Sequence, residues 1–195
     1  MNIEEYLEEV EGVNLKRYMV DGIPHIGTGH NLGIHQSAEE LAIIGSPDIQ
    51  EITPEQNKQL LAQDITDAEE DIRLIFSDEE ILSWSEVRYA VIISQCFQLG
   101  LGGLRKFKNM IAAIKADDWE KAARESMDSL AARQTPRRWQ RQAAMMRNDT
   151  WDGTQTAKNP TTDVPDHQPN LSARLDVIEG KVDKLWTFFV ENFAK

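Results

Sequence analysis

One cysteine, Cys96, stands among 195 residues, so no disulfide can form within the chain. It sits in the apolar-rich run YAVIISQCFQLG, where a thiol serves as a small buried hydrophobe, and a chain without disulfides is expected to be made in a cytosol. No run approaches the roughly 18 apolar residues that span a bilayer, which excludes an integral membrane segment. The opening MNIEEYLEEVEG lacks a basic stretch ahead of an apolar one, so no signal peptide is expected. Basic residues are scarce in the first half. Residues 1 to 100 hold 5 Lys and Arg against 20 Asp and Glu, residues 101 to 151 hold 11 against 6, and the remainder 5 against 7, which gives the net charge of −12. The acidic half repels a phosphate backbone, and the basic run RQTPRRWQRQ belongs to no nucleic-acid motif, so no nucleic-acid partner is expected. No Cys/His cluster and no carboxylate loop has metal-ligand spacing, and neither a metal nor another cofactor is expected.

What is present suits one sizeable core with an appendage: 41% of the residues are hydrophobic and 28% charged. Ile3, Tyr6, Leu7 and Val10 step by three and four, which predicts a helix over residues 2 to 11 with Gly12 as its stop. Asp21-Gly22 signals a hairpin turn, and IPHIGTGH beyond it is β-like, with Pro24 favouring an edge strand. Thr53-Pro54-Glu55-Gln56 is a capping box that opens a helix running to about Ile75. Helical patterns follow at 80 to 99, 105 to 115, 117 to 132 and 136 to 147, the last started by Thr135-Pro136. The fold class is therefore α+β, mostly α-helical, with one small sheet near the N-terminus.

Composition changes after Trp151. DGTQTAKNPTTDVPDHQPN has almost no large apolar residue, and a linker is placed at 154 to 170. Leu171, Leu175, Ile178, Val182, Leu185 and Phe189 then form a heptad seam, and an amphipathic helix is placed at 171 to 195. Such a helix is marginal alone and needs a partner: copies of itself, its own domain, another protein or a membrane surface. Trp186, Phe188, Val190 and Phe193 broaden its apolar face beyond a simple dimeric seam.

Glu11-Gly12, Leu15-Lys16, Tyr18 and GIPHIGTGH, followed in order by Gln63-Asp64, FQLG with GGLRKF, Trp119 with Ala122-Ala123, QTPRR and DTWDG, carry a resemblance. Over about residues 1 to 153 the chain resembles the phage-type lysozymes, those of the T-even bacteriophages in particular. The resemblance implies two lobes joined by a long helix, a cleft between them, and hydrolysis of peptidoglycan strands between N-acetylmuramic acid and N-acetylglucosamine. It also implies that Gln63-Asp64 ends a helix.

Cleaving a glycosidic bond needs an acid for the leaving oxygen and a second group that activates water or attacks the sugar. Glu11, near a helix end and facing a partly apolar cleft, matches the family's acid; its competing reading is one surface glutamate among several. The family spaces its Glu, Asp and Thr by eight and then five residues. Counted without a gap, the Asp position falls on Val20, and aligning the Gly-Ile-x-x-Ile-Gly frame puts His25 where the family has threonine. Asp21 is then either a displaced base or the first residue of an Asp-Gly turn. His25 is either a structural histidine on a hairpin or the replacement for the lost carboxylate, since neutral imidazole can accept a proton from water or attack the anomeric carbon.

Further positions follow from the same resemblance. His30 is expected to form a structural ion pair with Asp64, partly exposed and of modest strength. Gly29, Asn31, Phe97 and Gln98 are candidate substrate contacts, and Gly27 shares with Gly29 a backbone open to close approach. Phe97 also suits the core. Asn31, Met110 and Glu125 fall at cleft positions without the expected residue types, and Ala131 replaces a large aromatic. Phage lysozymes are often basic, which draws them to an anionic wall, and this acidic chain lacks that attraction. Residues 171–193 are expected to compensate by tethering it to its own copies as a homo-oligomer or to a virion partner. The expected substrate is bacterial peptidoglycan, reached through a holin as a lysin or by delivery on the particle. The alternative is a non-catalytic glycan-binding or virion module that has lost its base.

Overall fold

Gly12 ends the first helix with φ of 75° and ψ of 167°, a region that only glycine enters readily, and so turns the chain toward its sheet. That helix, α1 (Ile3–Glu11), is opened by a capping box between Asn2 and Glu5 and buries Tyr6 and Leu7. The structure is a computed structural model that describes residues 1–154. Residues 155–195, which hold nearly all of the linker placed at 154 to 170 and the whole heptad helix, lie outside the described residues.

After Gly12 comes β1 (Asn14–Val20). Asp21 and Gly22, at φ of 50° and 81°, form the two-residue turn into β2 (Ile23–Gly27), and β3 (His30–Asn31) completes an antiparallel sheet in the order β1-β2-β3. Pro24 thus lies on the central strand and not on an edge. The position tolerates proline because β3 ends at Asn31: Pro24 needs only its carbonyl there, which accepts from the Leu32 N–H at 2.9 Å.

A short helix that the apolar spacing did not reveal follows, α2 (Ala38–Ile44), with a capping box between Ser37 and Glu40. The Thr53 box opens α3 (Pro54–Arg73), 20 residues long. Gln63 and Asp64 therefore sit in mid-helix, not at a helix end. The pattern at 80 to 99 divides at Trp84 into α4 (Asp78–Ser83) and α5 (Glu86–Leu104), because Ser85 caps a new start; α5 is kinked at Gly100, φ 64°. Next come α6 (Lys108–Lys115) and α7 (Trp119–Met127), and the pattern at 117 to 132 breaks where Ser129 caps α8 (Leu130–Gln134). Pro136 begins α9 (Pro136–Asn148).

Two apolar cores result. The smaller joins Ile26, Leu32, Ile44, Ile52 and Leu60 under the sheet. The larger gathers the helices around Leu7, Val91, Ile92, Ile93 and Met146, with Trp84 edge-on to both Phe76 and Trp119. Helix α3 serves both, Leu60 in the first and Leu61, Ile65, Ala68 and Ile72 in the second. The fold is the two-lobed, mostly helical α+β arrangement, with α3 as the long connecting helix. No described helix is long and apolar enough to cross a membrane.

Candidate functional site

Glu11 closes α1, so its side chain projects past the helix end toward α9. Two arginines three residues apart on α9 meet that end. Arg141 makes a bidentate pair with Glu9, the longer bond 3.1 Å, and this hydrogen bonding holds the Glu9 carboxyl below its usual range. Arg138 Nη2 donates to Glu11 Oε1 and, at 3.0 Å, to Ser94 Oγ on α5. The Glu11 and Arg138 side chains are only 18% and 15% exposed, which shields their pairing from solvent. Arg138 lies in the QTPRR run, where sequence reasoning gave it no role; an arginine two residues past a helix-starting proline was the available signal.

Gly29 faces Glu11 from the sheet. Its φ is 80°, and a Cβ there would lie 3.3 Å from Phe97 Cε1 and 3.9 Å from Glu11 Cβ. Tyr18, also unassigned by sequence, joins this group: its hydroxyl is near the Gly29 backbone, and burial and then the charge of Glu11 push the phenol above its usual range, so it stays protonated. The Tyr18 ring is 5.7 Å from the His25 ring. Cross-strand pairing of Tyr18 with His25 and of His25 with Asn31 puts all three on one face of the sheet. His25 is half-buried, with Nδ1 3.0 Å from the Ile23 carbonyl oxygen. A carbonyl only accepts, so Nδ1 carries the hydrogen and Nε2 of the neutral ring is left as an acceptor. Asp21 is exposed in the turn, and its positive φ is one that Asp adopts more readily than most residues. Among the described residues, no hydrogen bond or ion pair links it to Glu11 or His25.

Gly29, Asn31 and Phe97 line a cleft of about 220 Å³ together with Asp64, Asp71 and Gly100. Gln98, the fourth candidate contact, is half-buried and its Oε1 is enclosed without a hydrogen-bond partner. Asn31 Oδ1 accepts from the Gly33 N–H at 2.8 Å. Gly27 has another explanation: a Cβ there would lie 2.4 Å from Asn57 Oδ1, so packing on α3 requires glycine. Met110 is 1% exposed and belongs to the large core. A second cavity, about 630 Å³, is bordered by Ala131, Phe107, Leu130 and Glu125.

His30 is bonded on both sides. Nδ1 lies 2.8 Å from Asp64 Oδ1, and Nε2 lies 2.7 Å from Gln36 Oε1. The Gln36 amide is oriented by its NH₂ group, which donates to the Asn31 and Ile34 carbonyls. Two acceptors favour two N–H donors and so the imidazolium form, while burial also raises the Asp64 pKa. Burial works against that charge, but the Asp64 and Gln36 bonds outweigh it and the His30 pKa is raised. His30 is 3% exposed and Asp64 16%, so what exposure the pair has lies on the carboxylate, and the pair ties β3 to α3. Glu40 brings a third candidate ligand, all within 4.8 Å, although both His30 nitrogens are already engaged.

The phage lysozyme family model matches residues 8–145. The chain belongs to the phage lysozyme family. Over 152 residues it is 34% identical to the pre-baseplate central spike protein Gp5 of Enterobacteria phage T4, a match that covers 69% of this chain and 26% of that protein. The chain thus spans about a quarter of that relative's length. Glu11 and His25 share a neighbour in Tyr18, whose phenol feels the charge of Glu11 and whose ring lies 5.7 Å from the His25 ring.

Proposed function

We propose that residues 1–153 are a muramidase that hydrolyses the β-1,4 bond between N-acetylmuramic acid and N-acetylglucosamine of bacterial peptidoglycan. The observation that carries this reading is Glu11, bonded through Oε1 to Arg138 and faced by Gly29 beside the cleft. With Oε1 accepting from Arg138, a proton on Glu11 resides on Oε2, from which it passes to the leaving oxygen as the C1–O bond breaks. His25 Nε2 is the second group. Acting as base, it takes a proton from water whose oxygen attacks C1, and the product is inverted; attacking C1 itself, it forms a glycosyl-imidazole adduct that water then resolves, and configuration is retained. Asp21 is read as the turn residue. Gly29, Asn31, Phe97 and Gln98 are proposed to contact the glycan.

Residues 154–170 and 171–195 are proposed as linker and docking helix, which gather the enzyme on a virion partner or on its own copies. Kinship to a central spike protein supports delivery on the particle over release through a holin. A second reading, a non-catalytic glycan-binding or virion module, draws on Val20 in the aspartate's place. Digestion of purified peptidoglycan decides between them, with native chain compared with Glu11→Gln, His25→Ala and Asp21→Asn and the fragments identified by mass spectrometry. The muramidase reading expects reducing muramic acid ends from the native chain and Asp21→Asn, and none from the other two. Wall binding without fragments from the native chain supports the non-catalytic module.

A further inference from the structure

The guanidinium beside Glu11 is held by one nitrogen. Arg138 Nη2 bonds both Glu11 Oε1 and Ser94 Oγ, while Arg138 Nε is buried without a partner. Two bonds from one nitrogen fix the plane in which it points, so the aim of Arg138 at Glu11 depends on where Ser94 Oγ sits. That oxygen accepts a second hydrogen bond, from Gln142 Nε2 at 3.1 Å. Gln142 lies four residues beyond Arg138 on the same face of α9. Its own amide is oriented by Gln95, whose Nε2 reaches Gln142 Oε1 at 3.4 Å.

Ser94, Gln95 and Gln142 are all 0% exposed, set among the apolar side chains of the helical core. Tyr6, equally buried, places its hydroxyl beside Ser94 and Gln142. Packing alone favours apolar side chains at such positions, because polar groups there are stranded when a bond is imperfect; Gln95 Oε1 and the Tyr6 hydroxyl lack partners already. The polar chain nevertheless runs without a break from Gln95 through Gln142 and Ser94 to Arg138 and Glu11.

We propose that Gln142, acting through Ser94 and Arg138, is a positioning residue for the Glu11 carboxyl. This rests on the muramidase reading, which makes Glu11 the acid. Ser94→Ala removes the acceptor, Gln142→Met removes the donor at similar volume, and Ser94→Thr keeps the hydroxyl. For the full chain on soluble peptidoglycan fragments, Ser94→Ala and Gln142→Met lower kcat about tenfold and leave KM within about twofold. The alkaline limb of the kcat profile moves by about half a pH unit or more. Gln142→Met strands the Gln95 amide and unfolds a few degrees below the native chain while staying folded at the assay temperature, and Ser94→Thr retains kcat. Folded Ser94→Ala and Gln142→Met with native kcat and pH profile overturn the proposal. Should Gln142→Met not fold, Ser94→Ala decides.

Carbon-13 NMR titration of the Glu11 carboxyl, assigned with Glu11→Gln, separates the two ideas because it needs no turnover. A native chain that cleaves nothing, with a Glu11 titration displaced by Ser94→Ala, refutes the muramidase and supports the positioning. Native cleavage with an undisplaced titration and unchanged kinetics does the reverse.

Discussion

A methyl group at residue 29 would stand where the cleft meets Glu11. Gly29→Ala forces an L side chain to φ of 80°, which costs about 1–2 kcal/mol. It also puts Cβ 3.3 Å from Phe97 Cε1, between that ring and Glu11. The expected result is a fall of tenfold or more in kcat/KM on peptidoglycan with only a few degrees lost in Tm, measured by turbidity clearing and thermal unfolding. Cys96 gives a residue-scale prediction of the opposite kind, inertness. Burial, with the Asp71 carboxylate adding to it, pushes its thiol up to about 12. At pH 8 the native chain is expected to resist iodoacetamide for hours while the urea-unfolded chain is alkylated within minutes, as read by intact mass. Burial of Cys96 was legible in its apolar surroundings; Asp71 was not, because it comes from α3, 25 residues away. Arg138, Ser94 and Tyr18 escaped notice for the same reason. Their roles arise where α1, α5, α9 and the sheet converge, and no spacing within a single element marks that.

Elements were more legible than sites. Capping boxes and positive-φ turn residues are local chemistry, so the Thr53 box and the Asp21-Gly22 turn could be placed from sequence alone. The Ser37 box is equally local, and α2 went unread only because seven residues are too few to show a period. Pro24 shows the limit: strand order is a tertiary property, so a proline's edge preference cannot say which strand lies in the middle. His30 and Asp64 join β3 to α3, and their pairing predicts how that junction responds to pH. The folded His30 pKa is raised above its unfolded value of about 6.5. Its stabilisation is therefore complete below about pH 6.5 and is lost as pH rises through the folded value. Urea unfolding between about pH 6 and about pH 9 is expected to show stability declining through that window, and His30→Gln is expected to be less stable at pH 6 with a flatter dependence. An equal slope in His30→Gln would assign the decline to another group.

At the scale of the whole molecule, charge sets how the proposed muramidase would meet a cell wall. The net charge is −12, and the acidic excess lies in the first hundred residues, which contain Glu11, the sheet and α3. A cell wall rich in anionic polymers repels such a protein over roughly a Debye length, about 30 Å at 0.01 M salt and about 8 Å at 0.15 M. Approach is thus the step that salt relieves, the reverse of a basic lysozyme, whose attraction salt weakens. The initial rate of wall-suspension clearing is expected to rise several-fold between those two ionic strengths. Peptidoglycan stripped of its anionic polymers supplies the control, on which the rise should shrink or vanish. A rate that falls with salt on intact walls would mean that the basic residues of 101 to 151, 11 against 6 acidic, present the face that meets the wall. The acidic sheet lobe would then matter only inside the cleft.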